Sequence, residues 1–271
     1  MGLSARDTIP TDGLHGTAAA TATAEWVEEW RLSSHWADED GTDLAAGGDS
    51  DTAGTFGGVD LQVANSANGT ATVSESGGYI RMASTGAGSG APRLAFSIAD
   101  AVSAAGGPAW DTNLDPVFLA VNLSGFTLSA NEQVALTLMW NPATIATFCI
   151  LERFNLGGVQ SVRVHVNDPV VWGPTTLVYS AAQASTDLWL CFLMVNGALR
   201  PGFSTSEPTA IDDPTYSGWF RPHNDNLSSG EEMVSNVSPS VGTRLQIPSV
   251  IANTESFDIA DMLVWRLRVP S

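Results

Sequence analysis

Lysine is absent from this chain. All 11 basic residues of the 271 are arginine, and 29 acidic residues leave a formal net charge of −18. A surface of that sign repels phosphate, which argues against DNA, RNA and anionic membranes as partners. Codon preference is the simplest account of the missing lysine. Charge of either sign is sparse, at 15% against 44% hydrophobic residues, so a sizeable core can form and the composition is not that of a disordered chain. Cysteine is nearly absent too: Cys149 and Cys191 both lie in apolar runs. Buried free thiols are the ordinary reading of such positions. A disulfide between them stays open, because it depends on their strands being neighbours.

Histidine is scarce as well. His15, His35, His165 and His223 are scattered, without the paired spacing of a zinc site. No Gly-x-Ser-x-Gly elbow, P-loop or dinucleotide fingerprint occurs, so no cofactor is expected. No apolar run is long enough to span a membrane, and the opening Met-Gly-Leu-Ser-Ala-Arg-Asp lacks the apolar centre of a secretion signal. The expected protein is neither conventionally secreted nor membrane-inserted. Its sequons at Asn68, Asn122, Asn226 and Asn236 therefore carry little weight.

What the chain does have is alternation. In Phe257-Asp-Ile-Ala-Asp-Met-Leu-Val-Trp-Arg-Leu-Arg-Val269, strict alternation puts Phe257, Ile259, Leu263, Trp265, Leu267 and Val269 on one face, interrupted by Asp261. Similar short runs begin at Val59 and recur with Gly, Pro and Asn between them, which predicts a two-sheet antiparallel sandwich. Asn68-Gly69 predicts a hairpin between 60–64 and 70–74, and Asn196-Gly197 another after Leu188–Val195. The run Leu188–Val195 is apolar on both faces and must be covered on both, either by local loops or by a second subunit.

Residues 1–55 read differently, as an N-terminal arm or attachment segment, with the sandwich occupying 56–271. Thr17 to Leu32 is the one candidate helix, with Trp26 and Trp30 at i, i+4; an extended arm is the alternative. The acidic, Gly-rich stretch from Trp36 to Gly58 reads as a loop or linker.

The segments Asn68-Gly-Thr-Ala-Thr-Val with Gly77-Gly-Tyr-Ile-Arg-Met, Leu188-Trp-Leu-Cys-Phe-Leu-Met-Val-Asn-Gly, and Phe257-Asp-Ile-Ala-Asp-Met-Leu-Val-Trp resemble, in that order, pieces of the concanavalin A-like (laminin-G-like) jelly rolls. The resemblance covers about residues 56–271 and implies an all-β, two-sheet jelly-roll sandwich. Its members include lectins, glycoside hydrolases, adhesion modules and bacteriophage virion proteins. In overall style the chain is most similar to the last group: a polar arm, one sandwich, abundant Ala, Gly, Thr and Ser.

Catalytic patterns are missing. A retaining glycosidase needs two carboxylates about 5 Å apart, and the Glu-x-Asp-x-x-Glu strand of the laminarinase-like relatives does not occur. Glu25-Trp-Val-Glu-Glu-Trp is the nearest acidic cluster, read as a solvated helix face with two docking tryptophans. Asp38-Glu-Asp-Gly-Thr-Asp43, with Asp49 and Asp51, departs from the EF-hand register and reads as a hydrated loop, so no metal site is assigned. A glycan contact would use loop aromatics beside polar groups. The candidate is the 215–226 loop, with Tyr216, Trp219, Phe220, Arg221, His223 and Asp225. Assembly anchors would be Trp26, Trp30 and Trp36. The expected function is a non-enzymatic structural protein of a bacteriophage virion, homo-oligomeric and attached to capsid or tail proteins through its arm. A carbohydrate-binding or host-adhesion module is the alternative, and a glycan-cleaving enzyme a more distant one.

Overall fold

The computed structural model describes residues 6–10, 19–23, 25–35, 49–64, 71–75, 78–85, 93–106, 117–125, 133–139, 148–168, 173–195, 198–218, 240–246 and 254–268. In chain order the strands are β1 (Arg6–Pro10), β2 (Ala19–Thr23), β3 (Glu25–Arg31), β4 (Asp49–Phe56), β5 (Val59–Ala64) and β6 (Ala71–Glu75). Then come β7 (Ile80–Thr85), β8 (Arg93–Ser97), a short helix α1 (Ile98–Ala104), β9 (Val117–Ser124), β10 (Gln133–Met139) and β11 (Phe148–Leu156). The remainder are β12 (Val159–Asp168), β13 (Gly173–Ala182), β14 (Leu188–Val195), β15 (Ala198–Ser204), β16 (Thr215–Tyr216), β17 (Ser240–Gln246) and β18 (Thr254–Arg268).

Two antiparallel sheets account for nearly all of these. One runs β13-β12-β11-β10-β17-β8-β5-β4; the other runs β16-β15-β14-β9-β18-β7-β6, with β3 also paired to β18. The long β18 thus has β9 on one side, and β7 followed by β3 on the other. The all-β sandwich expected from alternation is what the chain forms.

Alternation also explains the core. Val117, Leu119, Val121 and Leu123 of β9, with Leu188, Leu190, Phe192 and Met194 of β14, join one buried cluster with Cys149, Leu151, Val162, Val164 and Val166 from the opposite sheet. Each such side chain contributes roughly 1.5–3 kcal/mol on leaving water. Helix α1 adds Ile98, Ala101 and Val102 to this cluster. Ser97 caps it, its Oγ accepting from Asp100 N–H at 3.3 Å.

Several expectations are corrected. The candidate helix at 17–32 is instead β2 and β3, followed by a 3-10 turn at Leu32–Ser34. The tryptophan spacing did not discriminate, since positions i and i+4 share a face in a strand as well as in a helix. Part of the expected 36–58 loop is the strand β4, which turns at Gly57 and Gly58 into β5. Gly57 has φ +56, and an added Cβ would lie 2.5 Å from the His35 ring, so only glycine fits there. The strands flanking Asn68-Gly69 do not form a hairpin with each other: β5 belongs to one sheet and β6 to the other. By contrast Val195 pairs with Ala198, as the Asn196-Gly197 hairpin requires. From within residues 1–55, β3 pairs with β18 in one large sheet, and β4, which begins at Asp49, pairs with β5 in the other.

The closing strand departs from strict alternation. Its register shifts between Ile259 and Asp261, leaving Ala260 as the extra residue of a β-bulge. Ile259 therefore shares the main core with Met262 and Val264, whereas Leu263 and Trp265 face the other way. Asp261, which interrupted the sequence pattern, accepts from Arg31 Nε at 2.6 Å, Ser33 N at 3.0 Å, Ser33 Oγ at 2.9 Å and Met262 N at 2.9 Å. Arg31 also reaches Glu207 Oε1 at 2.8 Å. Its hydrogen bond to Glu207, opposed by burial and aided by Asp261, raises the Arg31 pKa further above its ordinary value.

Candidate functional site

The two-faced strand β14 is covered on its outer side from within the chain. Trp189, Cys191 and Leu193 join Phe118, Ala120, Leu263 and Trp265 in a second buried cluster, closed by Ile211 with Ala210 and Tyr216 against it. Phe118 and Trp265 stack at 4.8 Å, and Trp265 Nε1 donates to Glu29 Oε2 at 2.6 Å. Cys149 lies in the main core and Cys191 in this second one; both are free thiols, pushed up in pKa by burial.

The covering segment after β15 is folded by its own hydrogen bonds. Asp213 Oδ2 accepts from Thr209 N (2.6 Å), Thr209 Oγ1 (2.9 Å) and Ala210 N (2.8 Å). Burial works against its charge, but the two backbone N–H groups and the hydroxyl outweigh it and hold the carboxyl below its ordinary 3.8. Because the folded-state pKa is depressed, this support is complete above about pH 4 and is lost as pH falls through the folded value. Asp213→Ala should speed hydrogen exchange at the Thr209 and Ala210 amides several-fold near neutrality while leaving β14 amides protected. Equal protection of the loop in both proteins would show that the carboxylate does not organise it.

Of the candidate glycan-contact residues, Tyr216 alone lies within the described residues. Its hydroxyl donates to Ile211 O, and the Arg200 guanidinium lies 4.5 Å from the centre of its ring. The ring packs over Gly202, where an added Cβ would come within 2.6 Å of Tyr216 Cδ1. Trp219, Phe220, Arg221, His223 and Asp225 lie outside the described residues, as does Trp36. Trp26 sits in β3 opposite Leu267. Trp30 is corrected as an assembly anchor: it is 1% exposed, donates Nε1–H to Phe56 O at 3.1 Å, and packs near His35 and Phe96. Its surface is consumed inside the chain.

The ionisable cluster that sequence reading missed is on the other sheet. Glu152 of β11 pairs across the ladder with Arg163 of β12, and Ile150 with His165. Glu152 is 2% exposed. Its Oε1 accepts from Arg163 Nε at 2.7 Å, from Arg163 Nη2, and from His165 Nε2 at 2.9 Å. The Arg163 guanidinium lies 3.6 Å from the centre of the Phe154 ring. His165 Nδ1 is buried without a hydrogen-bond partner. Chemically this is one carboxylate held by a guanidinium and an imidazole. Hydrolysis through a glycosyl-enzyme intermediate requires a second carboxylate about 5 Å away. The charged neighbour of Glu152 that the structure shows is the Arg163 guanidinium, a cation. Among the described residues, no group of three or more His, Cys, Asp or Glu could hold a metal ion. No helix there is long and apolar enough to cross a membrane.

No family model matches the chain, and no curated protein matches it by sequence. Solved structures match in fold. A point mutant of the GH43 protein BlXynB from Bacillus licheniformis aligns with a TM-score of 0.50 and 11% identity, over 76% of this chain and 36% of that one. The chain thus spans about a third of that protein's length. The CBM2 module of the evolved Dit of Lactobacillus casei BL23 phage J-1 aligns with a TM-score of 0.50 and 9% identity, over 90% and 98%. The Ca2+/Man3GlcNAc-bound exoplasmic/lumenal domain of VIP36 aligns at 0.47 and 11%, over 78% and 85%. For the two that align at 0.50, the likeness at such identities is one of fold alone, a β-sandwich.

Proposed function

We propose that this protein is a non-enzymatic structural component of a bacteriophage virion. It would be attached to capsid or tail proteins as a decoration- or fibre-type part and assembled as a homo-oligomer. The observation that carries the reading is how the most deeply buried carboxylate of the described cluster is used. Glu152 is engaged by Arg163 and His165, an arrangement that supports a sheet and leaves no free general acid or nucleophile there. A phage protein's module shares the fold over almost its whole length, which agrees with this setting. With Trp30 inside the core, attachment falls to Trp26, Trp36 and the residues before β3. Antibody against the protein should label purified virions of a phage encoding it. Its absence from virions, with the protein found only in the lysate, would overturn the reading.

A carbohydrate-binding role at the host surface is the second reading. The candidate loop runs on from β16, and because Tyr216 is engaged by Ile211 O and Arg200, the contact would fall to the residues after it. On a glycan array, a specific signal lost in Trp219→Ala would establish this role; an empty array would dismiss it.

A further inference from the structure

Among the described residues, the strand path of each large sheet ends in two outermost strands, and β3 is a further edge beside β18, carrying Glu25, Glu28 and Glu29; three of the four path ends are protected in familiar ways. β4 carries Asp49 and Asp51, β6 ends on Glu75, and β16 has only two residues. Charge and brevity are among the devices that keep a sheet from adding a foreign strand, beside proline and β-bulges. β13 has neither charge nor brevity, though Pro174 and two register shifts against β12 interrupt it. It runs for ten residues without a charged side chain, inside an uncharged stretch from residue 169 to 186. Among the described residues its strand partner is β12 alone, so the far side of its backbone presents N–H and C=O groups without a ladder. Leu177 on β13 is 48% exposed and Val159 on the adjoining β12 is 61% exposed; they are the exposed large hydrophobics of the described residues.

We propose that β13 is a self-association edge, pairing antiparallel with the β13 of a second copy of this chain across a two-fold axis. Charge selects the occupant. A basic partner would be drawn to the acidic edges, at β4 or at β3 with Glu25, Glu28 and Glu29. An uncharged edge is where two chains of net charge −18 meet with the least repulsion. Two-fold pairing also needs no second sequence, because each residue opposes one of the same strand. Pro174 has no N–H to donate, so the ladder runs from Thr175 to Ala182. The register shift against Val164/His165 bends the strand near Val178 and shortens the regular part. The contact is therefore small, and the dimer weak and concentration-dependent.

This inference deepens the homo-oligomer part of the proposed function. Absence from virions would leave the dimer intact, and a monomer would leave the virion assignment standing. Sedimentation equilibrium of the full chain, up to about 1 mM, should show the mass rising from 28.4 kDa towards twice that value. The rise should be larger in ~1 M than in ~0.15 M NaCl, as the repulsion is screened. Leu177→Asp and Ser180→Asp should each weaken association at least about tenfold, and Asp51→Asn on the β4 edge should not. Both native cysteines are buried, so Ser180→Cys offers one accessible thiol, and a short bis-maleimide should join two copies through it. That cross-link decides the matter even if an Asp variant fails to fold by near-ultraviolet circular dichroism. A monomer at every concentration and salt, or a dimer that ignores both Asp substitutions and escapes cross-linking, would overturn the proposal.

Discussion

Replacing Glu152 by glutamine is expected to cost about 3 kcal/mol of folding stability, within the range for removing one member of a buried ion pair. The carboxylate side chain is 3% exposed, and the Arg163 and His165 side chains 18% and 17%. Their partial exposure places the effect at the low end of that range, since Arg163 can regain some solvent. The loss comes chiefly from the cation left behind, so the two substitutions should not be additive. In Glu152→Gln with Arg163→Met, no orphan charge remains, and the double variant should be clearly more stable than the sum of the single losses predicts. Urea midpoints at constant m-value provide the measurement. Strict additivity of the two changes would mean that the pair is not coupled as its geometry requires.

Trp30→Ala is expected to cost about 4 kcal/mol, the usual loss for emptying a large aromatic site in a core. The indole is 1% exposed, and its removal also takes one donor from the Phe56 carbonyl. Trp30→Phe keeps most of the volume but not the N–H, and should lose only about 1 kcal/mol. Denaturant unfolding of the isolated chain separates this role from that of a docking anchor. An anchor would leave the isolated protein as stable as before and lose only assembly. Against a total stability of roughly 5–15 kcal/mol, the alanine variant consumes a large fraction.

The physical reasons for what could be read in advance differ from element to element. β14 was legible on both faces because every position is apolar, and the demand for two covers is met by the main core and by Ile211. The helix proposed at Trp26 and Trp30 failed because a four-residue spacing is common to both periodicities. The closing strand misled where alternation itself broke: a bulge inverts every later side chain, and no residue type at Ala260 announces it. Asn68-Gly69 signals a turn, but whether the next strand stays in the sheet or crosses to the other one is a tertiary decision. The Glu152 cluster was within reach. Counting outwards from the Gly157-Gly158 turn pairs Leu156 with Val159, then Phe154 with Ser161, then Glu152 with Arg163. Helix α1 also carried a signal, Ser97 three positions before Asp100, that a search for strands passes over.

The position of β18 between β9 and the β7–β3 side bears on biosynthesis. A ribosome that has translated everything up to β17 has delivered the neighbours of β18 but not the strand that joins them. The second sheet can close only after residues 254–268 clear the exit tunnel, so its halves must wait as unpaired, adhesive fragments in the meantime. Production in a host short of holding chaperones should therefore favour inclusion bodies, and a nonsense mutation upstream of β18 removes not a tail but the keystone of the layer.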